Sequence, residues 1–287
     1  MAKKKEKKKS GPWREVFHRL KRNKLAMLGL FVLIFVVFVA IFAPILAPYN
    51  YAEQITADAR QFPNAKHLFG TDNFGRDILS RIIVGSRYTL IIGFGCITIS
   101  CLIGTVLGAL AGFYKKLDNL IMRVTDVVMG IPTFMLAISI IAALGTGIKT
   151  MMLALCITSI PAFIRIVRAQ VLTIKDQEYV EAARSIGANN FRIMTKHILP
   201  NAIAPIIVQY TLGAVNLILW AASLSFLGMG VQPPTPEWGL MVSAGRAYLY
   251  SEWYMSLIPG LAIIVTTYAL NLLGDGLRDA LDPRLKQ

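Results

Sequence analysis

Charged residues and cysteines are scarce in this sequence. Asp, Glu, Lys and Arg make up 16% of the 287 residues, whereas soluble domains carry about 25%, and 55% of the residues are hydrophobic. This composition excludes an ordinary soluble globular protein. The three cysteines, Cys96, Cys101 and Cys156, lie in apolar runs, and no CxxC or Cys/His spacing occurs. The sequence therefore predicts neither a disulfide framework nor a metal site.

Motifs of catalysis and of nucleotide binding are also missing. The three histidines, His18, His67 and His197, are scattered along the chain and form no cluster. The segment 145–150 is only weakly similar to a phosphate-binding loop, because no glycine directly precedes Lys149. We therefore predict that the chain is not an enzyme, has no catalytic residues or cofactor, and does not itself hydrolyse ATP.

Acidic residues are outnumbered, with 16 Asp and Glu against 30 Lys and Arg, so the net charge is +14. The excess is concentrated, because the first 24 residues hold 11 of the basic residues. A basic run beside an apolar span usually determines membrane orientation, so we interpret Lys3–Lys9 in this way and predict no nucleic-acid partner. After it, Trp13, Phe17 and Leu20 recur at helical spacing, which predicts an amphipathic helix on the lipid of the inner leaflet.

Long apolar runs dominate the rest of the chain. Each approaches the roughly 20 residues that cross a bilayer as a helix, and none alternates as a membrane strand would. The first run is too long for the core of a signal peptide and is predicted to remain as an anchor. The sequence thus predicts an all-α polytopic protein with six transmembrane helices, at Leu25–Pro48, Tyr88–Tyr114, Val124–Ile148, Thr150–Ile164, Ile203–Gly230 and Met255–Gly274.

Basic residues favour one orientation of these spans. With a cytoplasmic N-terminus, 23 of the 30 Lys and Arg residues fall inside and 7 outside. Both termini are therefore predicted to be cytoplasmic. The predicted division is a basic tail over 1–24, a first helix over 25–48, an extracytoplasmic loop over 49–87, a five-helix core over 88–274 with a cytoplasmic loop 165–202 and an outer loop 231–254, and a cytoplasmic tail over 275–287.

Few polar groups interrupt the spans. Asp126 lies three residues after Arg123, which predicts an interfacial ion pair rather than a proton relay and argues against a stand-alone secondary transporter. Gln209 and Asn216, seven residues apart on one face of the fifth span, either line a polar pathway or hydrogen-bond between helices. Gly104, Gly108 and Gly112 recur every four residues, which predicts a face on which helices pack closely. Three prolines within spans can kink their helices: Pro132, Pro161 and Pro205.

The inside segment between the fourth and fifth spans is predicted to be a helical hairpin. Its first helix covers 176–186, and Gly187 fits the left-handed position that follows a helix end. A second helix, capped by Asn189 or Asn190, ends as the chain approaches Pro200. A compact hairpin tied to two membrane spans is suited to act as a rigid lever for a partner.

This hairpin also carries a family motif. Glu181-Ala182-Ala183, followed after three residues by Gly187 and later by Leu199-Pro200, resembles the EAA loop of ABC-importer permeases. The run His197–Asn201 is similar to the end of that loop in the peptide-importer branch. In this family the loop docks in a groove of the ATPase subunit. The resemblance therefore implies an ATPase-coupling role for Glu181, Ala182, Ala183, Ile186, Gly187, Leu199 and Pro200, with the two alanines as a small contact face.

Three other stretches are similar to dipeptide and oligopeptide permeases: His67–Arg81, Ser225–Gly239 and Gly274–Arg284. The resemblance extends from Trp13 to Arg284. We also expect Trp238, with the prolines before it, to help form a rigid outer rim.

The resemblance implies the type I ABC-importer permease fold, in the cell membrane of a prokaryote. It implies that the chain forms half of a translocation pathway for dipeptides or oligopeptides. The implied partners are a homologous second permease, two ATPase subunits and an extracytoplasmic solute-binding protein. Nickel chelates, glutathione or another small solute remain alternative cargoes.

Overall fold

The computed structural model describes residues 12–281, and all regular secondary structure within that range is helical. The Lys3–Lys9 cluster and residues 282–287 of the predicted C-terminal tail lie outside the described residues. The helices are α1 Pro12–Arg22, α2 Lys24–Ile41, α3 Ala43–Leu46, α4 Ile78–Phe113, α5 Lys115–Met129, α6 Thr133–Leu144, α7 Ile148–Ile174, α8 Glu178–Ser185, α9 Asn190–Ile193, α10 Leu199–Phe226, α11 Trp238–Gly245 and α12 Tyr254–Leu281, with short 3-10 turns at Thr56–Asp58 and Arg246–Tyr248.

Five helical runs of the described chain are long and apolar enough to cross a membrane: α2, α4, α7, α12 and the continuous run that joins α9 to α10. The pair α5 and α6 meets the same test only together, and it is bent by 86°. The bend follows from Pro132, which has no amide hydrogen and disfavours a helical residue before it. The predicted third span is therefore sharply bent. The described chain has five candidate spans, or six if this bent pair counts as one span, as the sequence predicted.

Several helices extend beyond the apolar runs that predicted them. Helix α4 begins at Ile78 rather than at Tyr88, because the Asp77 side chain accepts a hydrogen bond from the Ser80 amide and caps the helix there. Helix α7 ends at Ile174, and α12 continues through 275–281 of the predicted tail. Apolar runs mark the part of a helix that lies in the hydrocarbon, and the polar turns at either end give no such signal.

The glycine face of α4 packs inside the subunit, as predicted. A Cβ added at Gly104 would lie 2.4 Å from the Phe163 Cβ, and one at Gly108 would lie 2.8 Å from the Val167 Cβ. Gly112 is equally close to Val171. Helices α4 and α7 therefore approach each other with almost no space for side chains between them, which gives the bundle its central pair.

Two ion pairs join α5 to α7 and correct one prediction. Arg168 binds Asp118 through Nε and Nη2, at 2.5 and 2.7 Å from the two carboxylate oxygens. Asp126 is bound by Arg165 Nη2 at 2.7 Å, so the predicted pair with Arg123 was wrong. Arg123 and Asp126 lie in the same helix, but α5 packs beside α7, so tertiary packing rather than helical spacing selects the partner of Asp126.

The bundle has two unlike ends. We call the end formed by residues 42–77, 145–147 and 227–253 the capped end, and the end that carries residues 175–189 the hairpin end. Helix α1, predicted as amphipathic, lies at the hairpin end, where Leu20 packs with Ala26, Leu273 and Ala280. The Phe17 side chain remains exposed, beneath the ammonium group of Lys21.

Candidate functional site

The hairpin forms with the predicted backbone at its turn. Gly187 has a φ of +85°, in the left-handed region, and its amide donates to the Arg184 carbonyl. The Ala188 amide donates to the Ala183 carbonyl, which completes a Schellman motif at the end of α8. The Asn189 side chain then caps the next helix by accepting from the Arg192 amide at 2.8 Å. Sequence signals at both sides of the turn were therefore sufficient to locate it.

The second helix of the hairpin does not end at Pro200, contrary to the prediction. Residues Met194–Ile198 form a π-helical turn in which the Leu199 amide donates to the Met194 carbonyl, and α10 follows without a break. A wider turn accommodates the ring and the missing amide hydrogen of Pro200 at the point where the helix type changes. The hairpin is therefore continuous with a span that runs from Asn190 to Phe226.

One side of the hairpin is fixed to the bundle. Val180, Ile193 and Ile198 are fully buried and belong to the same apolar cluster as Val171 of α7 and Ala202 of α10. Ala183 is also buried, with 6% of its surface exposed, so it cannot belong to the exposed contact face that the sequence predicted for it. Its small size serves packing within the chain.

The opposite side of the hairpin exposes apolar groups. Ile186 is 86% exposed and Phe191 is 76% exposed, and Glu181 and Ala182 lie on the surface with them. A Cβ added at Gly187 would meet nothing within 4 Å. Phe191 was missed by the sequence analysis, since no pattern distinguishes an exposed phenylalanine at a helix start from a buried one. The hairpin thus presents a compact apolar surface on a rigid support.

The two predicted pathway residues line one pocket in the middle of the bundle. Gln209 and Asn216 lie on the wall of a cavity of about 200 Å³, together with Thr158, Ser159 and Trp220. Within the described residues neither amide side chain has a hydrogen-bond partner. The interhelical hydrogen bond that was the alternative for this pair is therefore not formed.

The break between α5 and α6 opens one side of this pocket. Met129 and Thr133, which flank the break, both line the cavity. The hydroxyls of Thr158 and Ser159 donate to the Leu155 carbonyl of their own helix, so their oxygens still have capacity to accept. Pro132 was the sequence signal for this opening, although it could not show that the break faces Gln209.

Leu199 and Pro200 line a second, more apolar cavity of about 450 Å³ between α10 and Thr105.

At the capped end, buried polar groups hold the 49–77 segment on the start of α4. His67 is 1% exposed, and its Nδ1 lies 2.9 Å from Asp77 Oδ1. Asp77 Oδ2 accepts from the Ser80 amide at 2.7 Å, and the Ser80 hydroxyl accepts from the Tyr49 amide. Arg76 binds Asp72 at 2.6 Å. Asp77 thus fixes the loop to the N-terminus of α4, where its negative charge also interacts favourably with the helix dipole.

The part of the 231–245 segment around Trp238 packs onto the bundle, whereas residues 232–234 are exposed. Trp238 is 2% exposed and donates from Nε1 to the Ile82 carbonyl, so its predicted place on an outer rim was wrong. Glu237 is fully buried and caps α11 by accepting from the Gly239 and Leu240 amides at 2.9 Å. Burial raises the pKa of Glu237, against the lowering effect of these two hydrogen bonds.

Solved structures with the same fold belong to ABC importers. The fold is similar to that of the MetNI methionine ABC transporter in its inward-facing conformation, with a TM-score of 0.59 over 71% of this chain and 98% of that chain, at 20% identity. A second match is an amino acid ABC transporter, with a TM-score of 0.54 over 70% of this chain and 94% of that chain, at 22% identity. The fold class is therefore that of the ABC-importer permeases.

Sequence similarity then defines the family. Residues 104–287 match the binding-protein-dependent transport system inner membrane component family, and residues 11–65 match the N-terminal TM domain of oligopeptide transport permease C. The chain belongs to this family of inner-membrane components, as a C-type permease of the dipeptide and oligopeptide branch. It is a multi-pass plasma-membrane protein and the permease subunit of an ABC importer, not its ATPase.

Relatives align along almost the full chain. The dipeptide transport system permease protein DppC of Alkalihalophilus pseudofirmus is 46% identical over 96% of this chain and 91% of its own length. The di/tripeptide transport system permease protein DppC of Pseudomonas aeruginosa is 45% identical over 96% of this chain and 93% of its own. The glutathione transport system permease protein GsiD of Escherichia coli is 46% identical over 96% of this chain and 91% of its own.

Proposed function

We propose that this chain forms half of the translocation pathway of an importer for dipeptides or oligopeptides. A homologous second permease forms the other half, two ATPase subunits bind the hairpin end, and an extracytoplasmic solute-binding protein delivers the cargo to the capped end. The hairpin end is cytoplasmic in this proposal, which agrees with the predominance of Lys and Arg in the segments on that side. ATP hydrolysis takes place in the partner subunits, since the sequence has no phosphate-binding loop.

The observation that carries this proposal is the unbroken run from Asn190 to Phe226. Its first turns belong to the hairpin with the exposed Ile186 and Phe191, and its middle places Gln209 and Asn216 on the wall of the central pocket. A movement imposed on the hairpin is therefore transmitted directly to the pocket wall. The unpaired amides of that wall suit a cargo made of peptide groups, because an amide both donates and accepts.

Cysteine cross-linking tests the coupling role of the hairpin. Ile186→Cys should form a disulfide with a cysteine in the groove of the ATPase subunit when the assembled transporter is oxidised. Lys196→Cys, also exposed but on a polar stretch, is the matched control and should not cross-link. Absence of a cross-link from position 186 to any ATPase position, in a transporter that still imports, would contradict the proposal.

Transport assays test the cargo and the energy source. Proteoliposomes with the complete transporter should accumulate a labelled dipeptide only when ATP and the binding protein are supplied, and the purified chain alone should hydrolyse no ATP. Uptake driven by an ion gradient without ATP would instead indicate a secondary transporter. Glutathione is the second candidate cargo, because a glutathione permease is as similar to this chain as the dipeptide permeases are. Competition between the two cargoes for uptake distinguishes them.

A topology experiment tests the orientation. Gln232 is exposed at the capped end, and Arg184 is exposed at the hairpin end. A membrane-impermeant thiol reagent added to intact cells should label Gln232→Cys and leave Arg184→Cys unlabelled. The reverse pattern would invert the proposed topology.

A further inference from the structure

The capped end contains an arginine that differs from the other basic residues of its segment. Four of the five basic residues of 49–87 have partners: Lys66 binds Asp58, Arg76 binds Asp72, Arg81 donates to the Tyr51 carbonyl, and Arg60 lies over the Tyr248 ring. Within the described residues Arg87 has neither a carboxylate nor a hydrogen-bond partner, and it is exposed. An unpaired cation on this side of the protein is unexpected, since basic residues concentrate on the other side.

Arg87 lies at a pocket between α4 and the segment 44–51 that follows α2. The pocket has a volume of about 610 Å³, and its walls come from the residues after α2 and from the first turns of α4. This volume lies within the roughly 300–1,000 Å³ that is typical of ligand sites. Among the described residues, Arg87 is the only charged one that lines it, so this lining carries one uncompensated positive charge.

The polar and apolar groups of this pocket are separated. Tyr49, Tyr51 and Tyr88 join Arg87 in the lining. Pro44 and Ile91 supply the apolar part. The site therefore offers a guanidinium group and hydroxyls beside an apolar wall, which matches a molecule with an anionic head and an apolar body.

The position of the pocket points to a membrane lipid. Tyr88 opens the apolar run of α4, and Pro48 closes the apolar run of the first span, so both mark the depth at which hydrocarbon meets water. Tyrosines are enriched at that depth. Beside the pocket, Phe42, Ile45 and Ile91 are 41%, 81% and 54% exposed. They continue its apolar wall onto the surface that the acyl chains of a lipid would cover.

We propose that this pocket binds an anionic glycerophospholipid of the outer leaflet, with Arg87 and the tyrosine hydroxyls on its phosphate and the acyl chains along Ile45 and Ile91. A guanidinium group binds phosphate through two parallel charge-assisted hydrogen bonds, so Arg87 suits a phospholipid head group. The bound lipid fills the space between the first span and α4 and so anchors the first span, which is only 17% buried, to the bundle.

Lipid titration of the full-length chain in detergent tests this proposal. Bound phosphatidylglycerol and phosphatidylcholine, with the same acyl chains, are measured by native mass spectrometry. We expect the wild type to bind phosphatidylglycerol more tightly and Arg87→Gln to lose about tenfold in affinity for it, as expected for a charge-assisted contact. Lys149→Gln removes one exposed charge from the same end, outside the pocket, and should leave the affinity unchanged.

Further experiments locate the bound lipid and test for other occupants of the pocket. A photoactivatable phosphatidylglycerol should attach to residues 44–51 or 84–91 of the wild type, both in the isolated chain and in the assembled transporter. Equal affinity of wild type and Arg87→Gln would overturn the proposal, as would equal binding of the two lipids. Binding of glycerol phosphate as tight as that of the lipid would show a free-phosphate site instead. Labelling of the isolated chain but not of the transporter would show that a partner subunit covers the pocket.

Discussion

At the capped end, charged side chains are buried and paired, whereas at the hairpin end large apolar side chains are exposed. Arg76 and Asp77 are 5% and 3% exposed, and both are bound within the chain. Ile186 and Phe191 at the opposite end are 86% and 76% exposed. Buried polar networks rigidify a structure, while exposed apolar patches mark interaction surfaces. Arg76 and Asp77 of the capped end are thus satisfied within this chain, whereas the exposed apolar side chains of the hairpin end suit the surface of a partner.

The largest effect should come from placing a charge on the exposed apolar surface of the hairpin. Ile186→Asp should abolish ATP-driven uptake by the assembled transporter, because truncating a central apolar anchor of an interface costs about 2–4 kcal/mol and a buried carboxylate costs more. Folding should be unaffected, since Ile186 has few contacts within the chain. Uptake and the copurification of ATPase subunits are measured together.

Two further variants sharpen this result. Gly187→Asp should also reduce coupling, because a side chain in the left-handed region costs about 1–2 kcal/mol and distorts the turn, although the structure leaves room for the atoms themselves. Lys196→Gln changes an exposed residue of the same segment and should transport normally. Normal uptake by Ile186→Asp would mean that the hairpin end is only a connector.

The next largest effect should be on stability, at the capped end. Asp77→Ala removes the cap of α4 and leaves the buried His67 Nδ1 without an acceptor. The two losses should lower the free energy of unfolding by about 2–3 kcal/mol. Denaturation of the purified chain in detergent measures this. Asp279→Ala, which removes an exposed carboxylate from α12, is the control and should change the free energy by no more than about 0.5 kcal/mol.

A pH effect of smaller size should arise from Glu237. Because burial raises its pKa above the ordinary value of 4.5, the folded chain holds this proton more tightly than the unfolded chain does. The contribution of this group to stability is therefore complete below pH 4.5 and is lost as the pH rises through the raised pKa. Asp58, whose pKa is lowered by its hydrogen bond with Lys66, acts in the opposite sense, with a contribution that is lost on acidification.

Glu237→Gln should remove the loss of stability that occurs as the pH rises above 4.5, since glutamine does not titrate and its carbonyl oxygen still accepts from the start of α11. The unfolding midpoint is followed across this pH range for both proteins. Glu53→Gln, at an exposed position of the same end, should retain the wild-type slope. A wild-type slope in Glu237→Gln as well would assign the pH dependence to other groups.

The features that the sequence predicted well depend on local chemistry. The left-handed turn at Gly187 and the capping by Asn189 involve residues within a few positions of each other. The apolar runs are visible in the order of the residues alone. The features that it predicted wrongly depend on distant residues. The burial of Trp238 depends on its packing against α4, and the pairing of Asp126 with Arg165 depends on the packing of α5 beside α7.

In the central pocket and in the hairpin, too, the correct predictions depend on local sequence and the missed ones on distant packing. Gln209 and Asn216 were predicted to share a helix face, and they do line one pocket, because helical spacing alone determines that relation. Thr158 and Ser159 were not predicted to face them, since this depends on how α7 packs against α10. The sequence motif also selected Ala183, which is buried, although its neighbours Glu181, Ala182 and Ile186 are exposed.

The smallest effect should come from an ion pair that is exposed at the hairpin side of the bundle. The side chains of Arg165 and Asp126 are 46% and 58% exposed, although Nη2 and Oδ1 are only 2.7 Å apart. Exposed pairs contribute about 0–1 kcal/mol, so Arg165→Gln should lower the free energy of unfolding by no more than about 0.5 kcal/mol. The matched variant Arg76→Gln breaks a pair of similar length whose side chains are 5% and 13% exposed. It leaves Asp72 with the longer cationic contact to Arg81 Nε, at 3.7 Å, where water reaches the carboxylate poorly. Arg76→Gln should therefore lower the free energy of unfolding several times more than Arg165→Gln does. Equal effects of the two variants, measured in the same denaturation assay, would show that the two ends of the bundle do not differ in how they hold their charges.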